Sequence, residues 1–67
     1  METHKIFIPL IIEGIDDGLL FGRVHHEDNL IVDSARTIES LEKKFRRLLF
    51  SFHKINPSLV IFDLQET

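Results

Sequence analysis

Cysteine is absent from these 67 residues. That excludes a disulfide framework and thiolate metal sites, and it fits a reducing, cytoplasmic setting. No apolar run approaches the about 20 residues that cross a bilayer, so no membrane partner is expected. The start METHKIFIPLII is not read as a signal peptide, because its apolar run is short and charge follows at once. Only three glycines occur, and none sits in a phosphate-cradling pattern. Linkers, repeats and low-complexity tracts are missing too, so residues 1–67 are read as one small domain. A chain of this size buries only about 60% of its unfolded surface. Self-association would add buried area that a monomer lacks.

What is present is a 43% hydrophobic chain with a net charge of −3. The charge is uneven. Residues 1–34 set Lys5 and Arg23 against Glu2, Glu13, Asp16, Asp17, Glu27, Asp28 and Asp33, a formal −5, and residues 35–67 carry a formal +2. The acidic balance argues against nucleic-acid binding by the chain on its own, while leaving room for one basic stripe.

Patterning predicts an α+β fold: an antiparallel meander of three strands, one helix packed on one sheet face, then a fourth strand. KIFIPLIIE (5–13) is apolar on both parities, which suggests a strand covered on both faces. Pro9 lacks the ladder N–H, so this strand is expected at a sheet edge. GIDDG (14–18) reads as a turn, with Asp17-Gly18 as its hairpin signal. LLFGRVH (19–25) and LIVD (30–33) read as the next strands, separated by the turn HEDN (26–29). Gly22 marks a bend or a close approach.

Thr37 is a candidate helix N-cap, with Glu39 in the first turn. Ile38, Leu41, Phe45, Leu48 and Phe52 follow at amphipathic helical spacing, and Leu49 widens the stripe. Asn56-Pro57 stops the helix, and SLVIFDL (58–64) reads as the last strand.

One helix covers one face of a sheet. Strands that are apolar on both parities therefore imply a second face in need of cover, and a second copy of the chain is the economical solution. Phe7, Ile11, Val60 and Phe62 are the candidate interface residues. A separate candidate lies on KKFRRLLFSF (43–52). There Phe50 points away from the stripe, among Lys43, Arg46, Arg47 and Lys54. Such a face is solvated, anchors a protein partner, or contacts RNA through Arg46, Arg47 and Lys43 with stacking from Phe50.

Catalytic signals are thin. His25-His26-Glu27-Asp28 carries ligand types that suit zinc. Neighbours on a strand point to opposite faces, however, and only a turn would let both imidazoles converge. His53 at the helix end complements the helix dipole, and His4 stands near the terminus. Asp16 and Asp17 suit a turn better than acid–base work. No enzyme activity, metal or cofactor is expected.

Two stretches resemble the HicB-like antitoxin domain of bacterial toxin–antitoxin systems. IPLIIEGIDDGLLFGRV (8–24) matches the apolar first strand, Asp-Gly turn and aromatic second strand. DSARTIESLEKKFRRLL (33–49) matches the Thr-capped helix. The chain departs from the family where HHEDNLI replaces a Pro-Asp-Leu-Pro-Gly type segment and where SAR replaces a glycine before the helix. The family's DNA-binding segment has no counterpart in these residues, so a bare partner-binding domain, an orphan relative or a divergent structural cousin is expected. The resemblance implies a non-catalytic protein-interaction module that neutralises a small basic RNase toxin. Charge complementarity with the acidic first half suits that partner. The alternative is a small RNA-binding module built on the basic helix face.

Overall fold

The computed structural model describes residues 4–66. The fold is α+β, with strands β1 (Ile6–Asp16), β2 (Leu19–His26), β3 (Asn29–Ala35) and β4 (Val60–Glu66), and one helix, α1 (Ile38–His53). The sheet order is β3-β2-β1-β4. The first three strands form the expected antiparallel meander, and β4 lies parallel to β1. A parallel return needs a crossover, and α1 supplies it.

Strand β1 is therefore central, not an edge as Pro9 suggested. Pro9 pairs with Asp63 of β4. The ladder to β2 begins one residue later, at Leu10 opposite Val24. The proline thus sits in the part of β1 flanked on one side only, where a missing N–H leaves no gap in the second ladder. The first turn is also tighter than expected. Strand β1 runs to Asp16, and Asp17 (φ 55°) with Gly18 (φ 80°) makes the two-residue hairpin. Both positive φ angles match the twist of the flanking strands. A bulge at Glu13 sets Gly14 opposite Phe21 and Ile15 opposite Leu20.

The helix spans the expected residues, and its cap is Thr37. The Thr37 hydroxyl oxygen accepts from the Ser40 N–H at 3.1 Å. Thr37→Ala should cost about 1 kcal/mol of stability, read as a lower urea midpoint with an unchanged slope. The helix ends at Lys54, whose left-handed backbone (φ 59°) turns its N–H back onto the last carbonyls. Asn56 then caps a short 3-10 turn, Pro57–Leu59, by accepting from the Ser58 N–H at 3.0 Å. That turn delays β4 by two residues relative to the sequence expectation.

The core is a single layer between helix and sheet. It comprises Ile8, Leu10, Val24, Ala35, Leu41, Phe45, Leu49 and Val60. The helix lies close over β2 at Gly22. A Cβ there would stand 2.9 Å from Leu41 Cδ2 and 3.3 Å from Leu10 Cδ1, both on fully buried residues. Gly22→Val should therefore destabilise by about 1–3 kcal/mol despite the strand preference of valine. A thermal melt with no loss would show that the helix can lift at little cost.

Two basic residues of α1 are structural. The Lys44 ammonium donates to the Ser34 carbonyl at 2.7 Å and lies 3.9 Å from Asp33 Oδ1. Arg46 stacks over the Phe62 ring at 5.0 Å, donates to the Val60 carbonyl at 3.3 Å, and pairs with Glu42. The helix is thereby pinned to both edge strands, β3 through Lys44 and β4 through Arg46.

Candidate functional surfaces

Pleating and register decide which side chains meet the helix. Successive residues of a strand alternate faces, so Ile8, Leu10, Val24 and Val60 go under the helix with Phe62 beside them. The other parity forms a second face that no described element covers. Phe7 (69% exposed), Val32 (65%) and Leu30 (56%) lie there, with Phe21, Ile61, Pro9 and the half-buried Ile11. Of the four residues expected on this face, Phe7 and Ile11 are on it. Val60 and Phe62 are not. Val60 is buried in the core, and Phe62 meets Phe45 edge to face at 6.3 Å. Phe21, Leu30, Val32 and Ile61 were missed, because parity in a strand apolar on both sides is set by pairing, not composition.

This open face is mostly apolar, with Asp63 and Gln65 on its β4 edge opposite Pro9 and Ile11, and an ion pair between β1 and β2. Arg23 Nε lies 3.3 Å from Glu13 Oε1 as an ion pair, at an angle that leaves the N–H without a hydrogen bond. The bulge at Glu13 brings that carboxylate beside Arg23. A shallow depression lined by Glu13, Phe21, Val32 and Ser34 adjoins the pair.

The helix presents a different outer surface. Phe50 is 54% exposed and points away from the sheet, as its position on the helical wheel requires. Lys43 and Arg47 are exposed around it. Arg46 is not available there, because it is committed to Phe62 and Val60. The basic set proposed for RNA thus loses the cation that would have flanked Phe50 most directly. Phe52, expected in the buried stripe, is 72% exposed. Leu49 is the last fully buried residue of the stripe, and Phe52 lies along an open groove with Asn29, Ile31, Leu48 and His53.

A third constellation lies at that end of the helix. His26 closes β2 on the helix side, while His25 pairs with Leu30 on the open face, so the adjacent imidazoles diverge as strand geometry demands. His26 instead meets His53, the last residue of α1. Their ring centroids are 5.0 Å apart with planes at 76°. Glu27 occupies the β2–β3 turn with φ 56°. One ligand atom from each of His26, Glu27 and His53 lies within 4.8 Å of the others. The sequence contained these ligand types, but their meeting joins residues 26 and 53 across a tertiary contact.

Among the described residues, no helix is long and apolar enough to cross a membrane. No family model matches the chain, and no curated protein or solved structure is significantly similar to it.

Proposed function

We propose that this chain is a non-catalytic protein-interaction domain that acts through its open sheet face, first by packing against a second copy of itself. One observation carries the reading: a four-stranded sheet has its helix on one side and Phe7, Phe21, Leu30, Val32 and Ile61 uncovered on the other. Exposed apolar surface of this kind is characteristic of an interface. The Arg23–Glu13 pair gives the face both signs of charge, so a two-fold arrangement can set each sign against its opposite.

The resemblance to HicB-like antitoxin domains supports a use for such a dimer. Asp16-Asp17 and Glu27-Asp28 place acidic groups at the two ends of β2. A small basic protein, such as an RNase toxin, is complementary in charge to that half of the chain. Covering its active surface would need no chemistry from this domain.

Light scattering on the eluting peak is the test. A mass of twice 7.8 kDa at tens of micromolar supports pairing. A mass of one chain at every concentration, with no basic protein retained from the source cell, overturns the reading.

A further inference from the structure

We propose that His26, Glu27 and His53 form a binding site for a zinc ion, or a divalent ion of similar borderline softness, which clamps the end of the helix to the β2–β3 turn. The argument starts from donor chemistry. Two imidazoles and one carboxylate are a donor set that zinc accepts, leaving a fourth position for water or another ligand. Imidazole excludes the hard, oxygen-seeking cations as preferred occupants.

Geometry comes next. The three ligand atoms all lie within 4.8 Å of one another. A tetrahedral ion with bonds of about 2.0–2.2 Å holds its ligands about 3.3–3.6 Å apart. Each atom must therefore move inward by less than about 1 Å, which side-chain rotation supplies at a surface where Glu27 is exposed and both histidines are half-buried. The backbone already favours closure. Glu27 holds a left-handed conformation that turns the chain sharply after His26. His53 is fixed by the helix cap that follows it, where the Lys54 N–H bonds to the Phe50 carbonyl at 3.0 Å.

Electrostatics agrees with a cation. The site sits at the C-terminal end of a 16-residue helix, where the helix dipole is negative. Glu27 adds a formal charge, and Asp28 follows it in the same turn. An open groove lined by Asn29, Ile31, Leu48, Phe52 and His53 adjoins the cluster, so an ion can enter from solvent. Past Leu49 no residue of α1 is fully buried, so a metal bridge from His53 to His26 would add a tie between the helix end and β2.

The experiment is calorimetric titration of the full, tag-free chain with zinc chloride, compared with His26→Ala, His53→Ala, Glu27→Gln and His25→Ala. Circular dichroism checks that each variant is folded. Removing a supporting group around a metal costs about 10–100-fold in affinity, so loss of either imidazole ligand should cost at least as much. Glu27→Gln should weaken binding by a smaller factor, and His25→Ala should leave it unchanged. Independently of any variant, zinc should shift the imidazole resonances of His26 and His53 in the NMR spectrum of the unaltered chain and spare those of His25. A chain that binds no zinc, binding that survives His53→Ala, or equal loss in His25→Ala would each overturn the site.

Discussion

Phe45→Ala should leave the chain largely unfolded at ambient temperature. Phe45 is fully buried at the centre of the core layer and meets Phe62 edge to face. Truncating a buried phenylalanine costs about 3–5 kcal/mol, part lost transfer energy and part residual cavity. A core in a domain this small rarely supplies more than about 3–5 kcal/mol in total. The two figures match, so the folded fraction collapses. Urea titration followed by far-ultraviolet circular dichroism reads the effect, at one fixed protein concentration because pairing would couple to stability. A loss under about 1 kcal/mol would mean that the helix is not seated on the sheet as described.

The second large effect concerns assembly. Phe7→Glu and Val32→Glu each put a charge into the open sheet face, at two widely exposed positions on β1 and β3. Anchors at the centre of an interface contribute about 2 kcal/mol or more, which corresponds to about 30-fold in dissociation constant for each substitution. The double variant should run as a monomer by light scattering while keeping its circular dichroism spectrum, since neither side chain supports the core. Phe50→Ala is the matched control. It removes an equally prominent aromatic from the opposite layer, and it should leave the mass unchanged. If Phe50→Ala dissociates the assembly and the double variant does not, the interface belongs to the helix face instead.

Much of the fold was legible from local chemistry. The helix limits followed from Thr37, the stripe Leu41–Phe45–Leu48–Leu49 and the stop at Asn56-Pro57, because capping and 3.6-residue periodicity act within a few residues. The first hairpin followed from Asp17-Gly18 for the same reason. Pro9 misled only about strand position. Its missing N–H does forbid a fully paired site, and the fold satisfies that rule by starting the β2 ladder at Leu10. Phe52 misled because the periodicity continues past Leu49, the last buried residue of the stripe, and the pattern carries no information about where cover ends.

The candidate sites divide along the same line. Phe7 and Ile11 were legible as apolar residues in need of cover. Val60 and Phe62 were equally apolar, yet they face the helix, because β4 pairs with β1 in a register that sets Phe62 beside Ile8. Arg46 resembled Arg47 in the sequence, but only Arg46 lies within reach of β4.

Composition and short-range pattern thus determined the elements, the helix face and the surplus of greasy strand surface, since each depends on neighbours a few positions away. Strand order, the side on which each residue of a doubly apolar strand lies, and the meeting of His26 with His53 were decided by tertiary structure alone. Shifting a ladder by one residue exchanges its two faces without altering a single local preference, so only packing against the helix could choose between them.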